Sequence, residues 1–216
     1  MNSDSVVISA GAVFAISGCN GDIRAHSPEG LYAHDTRFLS LFRITLQGQP
    51  LESNGYNTFS GSVASFYTAN RAKRGLPAGD ISVVRDRHVE FGLHEDIYAV
   101  NHSRASRAVR LEVTIDADFA DIFQVRLGHV RKAGSTSIED REGQHLALVY
   151  RRGDFQRETW VSFSVTPEMR GKTALFDLTL EPKQVWKTCI TVMPIIDHPP
   201  SPMKCTETIL GVPFGP

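Results

Sequence analysis

Apolar and polar residues alternate along much of this 216-residue chain. Val109, Leu111, Val113 and Ile115 are interleaved with Arg110, Glu112, Thr114 and Asp116, which puts the apolar set on one face of an extended segment and the polar set on the other. Val161, Phe163 and Val165 alternate with Ser162 and Ser164, and Phe176, Leu178 and Leu180 with Asp177 and Thr179. Each pattern predicts a half-buried strand. Turn signals lie between them: Asn20-Gly21-Asp22, Gln47-Gly48-Gln49-Pro50, Asn54-Gly55, Pro77-Ala78-Gly79-Asp80, Arg152-Gly153-Asp154, and Pro167 to Gly171. No window sustains apolar positions at i, i+3, i+4 and i+7 without a breaker, so a parallel sheet with crossover helices is not expected. Short helical turns are predicted only at Gly30 to Phe38 and Asp118 to Phe123. The expected fold is all-β, a large antiparallel β-sandwich in one domain over residues 1–195. Six of the 11 prolines fall from Pro194 onward, where each removes a ladder donor. Residues 196–216 therefore read as a linker or tail.

With 41% hydrophobic and 22% charged residues, the chain can build a core. Its 23 Lys+Arg balance 24 Asp+Glu, for a formal net charge of -1. The densest basic run, Arg71-Ala72-Lys73-Arg74, is short, and together these argue against nucleic-acid binding. The longest apolar runs, Gly11 to Ile16 and Val192 to Ile196, fall well short of the ~20 residues of a spanning helix, so no membrane span is expected. The N-terminus Met1-Asn2-Ser3-Asp4-Ser5 lacks the basic region of a secretory signal, and the expected location is the cytoplasm. Cys19, Cys189 and Cys205 are odd in number and have no CxxC spacing, and read as structural thiols rather than a disulfide framework or a zinc site.

Few motifs point to chemistry. His88, His94 and His102 share a stretch with Asp86, Glu90, Glu95 and Asp96, but without metal-ligand spacing. They would be ligands only if hairpin registry gathered them on one face, and solvated or hydrogen-bonded histidines are the expectation. Gly61-Ser62-Val63-Ala64-Ser65 does not fit a nucleophile elbow, and no Gly-rich phosphate loop is present, so no cofactor is expected. Asn101-His102-Ser103 matches a glycosylation acceptor, without meaning in a chain that is not exported. Asp118 with Asp121, or Asp22 with Asp35, could form the carboxylate pair of a small glycosidase.

Two segments stand apart. Gly30-Leu31-Tyr32-Ala33-His34-Asp35-Thr36-Arg37-Phe38-Leu39-Ser40 and Asp116-Ala117-Asp118-Phe119-Ala120-Asp121-Ile122-Phe123-Gln124-Val125-Arg126 both set charges among apolar flanks. Such charges need partners to offset desolvation, and the nearest pairings are Asp35 with Arg37 and Asp121 with Arg126. An alternative use is as one rim of a sugar-binding or domain-docking surface, with Tyr32 and Phe38 as apolar platforms.

These two segments, with Gly21-Asp22-Ile23, Arg85-Asp86-Arg87, Glu95 and Asn101, resemble the N-terminal domain of bacterial and archaeal glycogen debranching enzymes of the amylo-α-1,6-glucosidase type. The resemblance runs from about residue 10 to about residue 195. It implies a supersandwich-like β-sandwich ahead of an (α/α)6-barrel glycosidase domain, with residues 196–216 leading toward that barrel. The acid and base carboxylates of such enzymes lie in the barrel, so the resemblance implies no catalytic residue here. It implies packing on the barrel and shaping of an α-glucan cleft, with Tyr32, Asp35, Thr36, Arg37, Asp118, Asp121 and Arg126 as the motif residues at that surface. A stand-alone carbohydrate-binding module, stacking sugars on Tyr32, Trp160 or Trp186, is the alternative outside that role.

Overall fold

The computed structural model describes residues 5–130, 133–141 and 145–196. The expected tail 196–216 thus lies, beyond Ile196, outside the described residues. In chain order the elements are β1 (Ser5–Ala10), β2 (Val13–Gly18), β3 (Gly30–Ala33), β4 (Thr36–Leu39), β5 (Leu41–Leu46), β6 (Gln49–Pro50), β7 (Glu52–Ser60), β8 (Val63–Ala69), β9 (Ile81–Val89), β10 (Leu93–Asn101) and β11 (Arg107–Asp116). After α1 (Ile122–Leu127) come β12 (Ser135–Arg141), β13 (His145–Arg152), β14 (Phe155–Phe163), β15 (Glu168–Arg170), β16 (Thr173–Leu180) and β17 (Val185–Ile195). All described pairings between these strands are antiparallel. No described helix is long and apolar enough to cross a membrane.

Three sheets result. The largest has eight strands in the order β12-β13-β14-β17-β10-β9-β8-β7. It is faced by a five-stranded sheet, β15-β16-β11-β5-β6, and a four-stranded one, β1-β2-β3-β4. Period two decides the layering: in β11 the buried positions Val109, Leu111, Val113 and Ile115 join one continuous core with Ile44, Leu46, Phe176 and Leu178. Phe176 closes the sandwich, edge-on to Phe163 at 6.1 Å and tilted against Trp186 at 5.2 Å. On the outer face of the same pair of strands Arg110 donates to both oxygens of Asp177 at 2.7 and 2.8 Å.

Buried charge links the large sheet to the loop after β2. Arg85 and Arg87 of β9 both pair with Glu95 of β10, and Arg85 also reaches Asp22 at 2.7 Å. Glu95 and Arg87 are themselves cross-strand partners. Both guanidiniums lie over aromatic rings, Arg85 at 5.1 Å from Phe42 and Arg87 at 5.0 Å from Phe66, where the ring quadrupole favours a desolvated cation. Asn101 is also internal: its Nδ2 donates to the carbonyls of Ala105 and Leu180 at 2.8 Å each. The amide of the Asn101-His102-Ser103 sequence is therefore spent on tying β10 to the loop after β16.

Several local expectations are corrected. The helical turn expected at Gly30 to Phe38 is the β3–β4 hairpin, because His34 and Asp35 take φ of 44° and 63° and make the doubly left-handed two-residue loop that matches strand twist. The turn expected at Asn54-Gly55 is an irregularity inside β7, with the register shifting between Ser53 and Gly55 and Gly55 at φ 129°. The helix expected near Asp118 to Phe123 forms four residues later, at Ile122–Leu127, because the side chain of Asp121 caps it. Pro167 to Gly171 contains the short strand β15, and β14 stops at Phe163, leaving Val165 outside it. Cys189 is disulfide-bonded, which corrects the reading of it as a thiol, whereas Cys19 keeps its thiol.

Candidate functional site

The two dense segments of the sequence are one unit in space. Backbone bonds run from Arg37 N to Ala120 O and from Ser40 N to Asp116 O at 2.8 Å each, and from Ile122 N to Asp35 O at 2.9 Å. Thr36 and Asp121 form an antiparallel bridge. The side chains complete the join: Arg37 Nε donates to Asp118 Oδ1 at 3.0 Å and its Nη2 to Asp118 Oδ2. This two-pronged pair spans 81 positions of sequence. Arg37 Nη1 donates to Ser27 O at 2.6 Å and to Glu29 O at 3.2 Å, so the guanidinium also fixes the loop that leads into β3.

The pairings expected between sequence neighbours are therefore wrong. Asp35 is exposed at the tip of the hairpin, and Arg37, buried like its neighbours Phe38 and Leu39 in β4, pairs with Asp118 instead. Asp121 Oδ1 accepts from Phe123 N at 2.7 Å as the cap of α1, and Arg126 lies exposed in the last turn of that helix. Tyr32 and Phe38 are not surface platforms: they are 2% and 0% exposed. Tyr32 stacks on Phe14 at 4.8 Å and donates its hydroxyl to Pro28 O. Burial pushes the Tyr32 phenol above its ordinary pKa, although neighbouring Arg37 pulls the other way. For Arg37, burial alone would lower the pKa, and the hydrogen bonds and charge of Asp118 outweigh it, holding the guanidinium above its ordinary value.

Beside this unit opens a cleft of about 620 Å³. Thr36, Asp118 and Asp121 line it from the joined segments, and Tyr150, Arg152 and Phe155 from the β13–β14 hairpin. Phe119 lies between the two sides, edge-on to Phe38 at 5.8 Å and stacked on Tyr150 at 5.9 Å, and Tyr150 in turn meets Phe155 edge-on at 6.2 Å. Phe119 holds φ 51°, a left-handed backbone that costs a bulky residue ~1–3 kcal/mol and persists only where surrounding contacts impose it. Its carbonyl-side neighbour Ala120 is locked to Arg37 N, which supplies that constraint.

The cleft thus combines aromatic faces with alcohol, amide, carboxylate and guanidinium groups, a set suited to the apolar face and hydroxyl rim of a sugar. Asp118 is neutralised by Arg37 and Asp121 is engaged at the helix cap. Of the seven motif residues, Thr36, Asp118 and Asp121 reach the cleft, Tyr32 and Arg37 support it from behind, and Asp35 and Arg126 do not line it. Phe119, Gln124, Ala133, Tyr150, Arg152 and Phe155 also line the cleft and were not among the candidate residues read from the sequence. The turn Arg152-Gly153-Asp154 was the available signal for the second side of the cleft, since both flanking strand ends carry an aromatic residue.

A family model for the N-terminal domain of (some) glycogen debranching enzymes matches residues 8–191. Among curated proteins no match is found. Among solved structures the chain is similar to a candidate kojibiose phosphorylase from the human microbiome, at TM-score 0.54 and 13% identity, over 88% of this chain but 28% of that one. It is also similar to the Slr1438 protein from Synechocystis sp. PCC 6803, at TM-score 0.56 and 9% identity, covering 89% of this chain and 96% of that one. A galactose mutarotase-like protein from Lactobacillus casei ATCC 334 matches at TM-score 0.52 and 8% identity, over 88% of this chain and 100% of that one. At these identities the structures share the fold with this chain.

Proposed function

The chain belongs to the family of N-terminal domains of glycogen debranching enzymes, and on that premise we propose that it is the non-catalytic β-sandwich module of a larger α-glucan hydrolase. In this reading residues 1–195 are the module and 196–216 lead toward an (α/α)6-barrel catalytic domain. The joined motif unit faces the barrel, and the aromatic cleft lends one wall to the glucan path. The observation that carries the proposal is the build of that face. Helix α1 buries none of its own residues, and Phe123 and Leu127 are 67% and 72% exposed. A six-residue helix has little intrinsic stability, yet Asp121 caps its start and Gly128, in the left-handed region at φ 69°, caps its end. A helix held this firmly with its apolar side chains in water is a surface prepared for a partner. The proposed place is the cytoplasm.

Two measurements test it. Immunoblotting of the source cell with antibody to this chain is expected to reveal a product far above 23.9 kDa, and a band at that mass removes the barrel from the reading. The purified chain is expected to release no glucose from a branched dextrin. Release abolished by Asp118→Asn or Asp121→Asn would make the chain a glycosidase in its own right. A second reading, a stand-alone carbohydrate-binding module, is favoured by two of the similar structures, whose own chains are matched over 96% and 100% of their length. It requires saturable binding of malto-oligosaccharides that Tyr150→Ala or Phe155→Ala weakens at least tenfold, since these, and not Tyr32, offer aromatic faces to the cleft.

A further inference from the structure

The densest basic run of the chain, Arg71 to Arg74, takes no part in the aromatic cleft. It lies on the loop between β8 and β9, which buried Asn70 pins at both ends. Asn70 Nδ2 donates to Arg71 O at 2.9 Å and to Pro77 O at 2.7 Å, and its Oδ1 accepts from Ile81 N at 2.8 Å. Within the loop Lys73 and Leu76 exchange both backbone hydrogen bonds, each 2.9 Å long. Gly75 takes φ 82° at the third residue of this four-residue turn, a place that favours glycine, and buried Leu76 anchors the turn. Arg74 is thereby held at the tip, exposed and without a partner among the described residues.

The start of β11 meets this turn. Arg107 pairs through Nη2 with Asp80 at 2.6 Å and reaches Gly75 O through Nη1 at 3.4 Å, while its Nε is buried with no hydrogen-bond partner. Lys73 Nζ donates to Gln47 O at 2.6 Å, which spends one of its three donors. Lys73, Arg74 and Arg107 border one cavity of about 350 Å³, together with Gln47, Gly75 and Ser106, and no residue of it lines the aromatic cleft. Asp80 answers one of the three positive charges. Glu181, which accepts from Ser106 Oγ at 3.2 Å, is exposed, where water and salt screen its charge. We propose that this cavity binds a phosphate dianion, free or as the monoester of a small metabolite. Its charge of about −1.5 to −2 at neutral pH matches the two cations that Asp80 leaves unanswered. The guanidinium of Arg74 can meet two phosphate oxygens at once, and the Lys73 ammonium adds a point charge through donors it has not spent. No residue has to give up a present partner, and the pinned loop leaves little ordering to be done on binding.

The test is isothermal titration of the full chain at physiological salt with inorganic phosphate, glucose 6-phosphate and glucose. One equivalent of phosphate or of the ester is expected to bind saturably, with Kd at or below ~1 mM, and glucose is expected not to bind in competition with it. Tighter binding of the ester than of inorganic phosphate identifies a phosphomonoester as the ligand, and the reverse identifies free phosphate. Arg74→Ala, at an exposed turn position, should weaken binding about tenfold through the lost charge-assisted bonds. Lys73→Ala should do the same, but it also removes the bond to Gln47, so Arg74→Ala decides first. Arg170→Ala, in exposed β15 at the far edge of the five-stranded sheet, should leave the affinity unchanged. No saturable uptake of either phosphate, displacement of phosphate by glucose, full affinity in Arg74→Ala, or equal weakening in Arg170→Ala each overturns the site.

Discussion

Single residues carry the join between the motif segments. Gly30 is one: a Cβ there would lie 2.6 Å from Arg37 Cδ and 2.8 Å from Leu39 O. Gly30→Ala is therefore expected to cost ~1–3 kcal/mol through overpacking, read as a lower urea midpoint at unchanged slope. Glu95 answers two buried guanidiniums at once, and Glu95→Gln is expected to cost ~3–5 kcal/mol, the penalty for leaving buried charge uncompensated. An unchanged midpoint in either variant would contradict these roles. The residues of this interior cluster were visible in the sequence as parts of the family resemblance, but their mutual contact was not, since Asp22 and Arg85 are 63 positions apart. The same distance effect explains the wrong partner chosen for Arg37: a pattern read along the chain offers only near neighbours, and burial selects by fold.

At the scale of elements, the alternating segments were read correctly wherever one face met the core, as in β11 and β16. At β7 a turn was expected at Asn54-Gly55 instead of a strand, because nearly every residue there is exposed and no burial pattern exists to be read. The β12–β14 ribbon shows a different source of order. Glu139 accepts from Arg151 and Arg141, and Arg141 Nη2 reaches Glu158 at 2.7 Å. The hydrogen bonds of Arg151 and then Ser137 bring the Glu139 carboxyl from 4.5 down to about 2. For Glu158, burial would raise the pKa, and the Arg141 hydrogen bond with help from Trp160 leaves it lowered. Both folded-state values lie below the unfolded ones. The stabilisation is thus fully present above about 4.5 and is lost as pH falls toward about 2. Amide exchange in β12 and β13 is expected to accelerate across that interval while β11 stays protected; uniform protection of both would show that the ribbon does not depend on these pairs. Asp121→Ala should fray α1 at a cost of ~1 kcal/mol, with the loss confined to that helix in amide exchange.

For the whole molecule, the sandwich class followed from periodicity and turn spacing, whereas the order of strands did not, because nothing local tells β17 where to insert. It lies between β14 and β10, bonded to β14 through Glu158 to Phe163 and to β10 through Leu93 to Val100. The exposed apolar helix α1 has a consequence at this scale too. Phe123→Ser combined with Leu127→Ser is expected to leave thermal stability within about 0.5 kcal/mol, as surface substitutions do, while abolishing any self-association seen by sedimentation. A marked fall in stability would mean the helix is packed rather than presented.

The central position of β17 also sets a timetable for synthesis. Until this last described strand leaves the ribosome, β14 and β10 each present an open row of backbone donors and acceptors, which is the template on which chains stick to one another. Most of the eight-stranded wall can form in two separate leaves, but only the arrival of Val185–Ile195 welds them. Nascent chains arrested before residue 185 should remain protease-sensitive and bound by chaperones, and those arrested well beyond 195 should resist digestion. The eight-stranded wall closes only once this last described strand has cleared the ribosome.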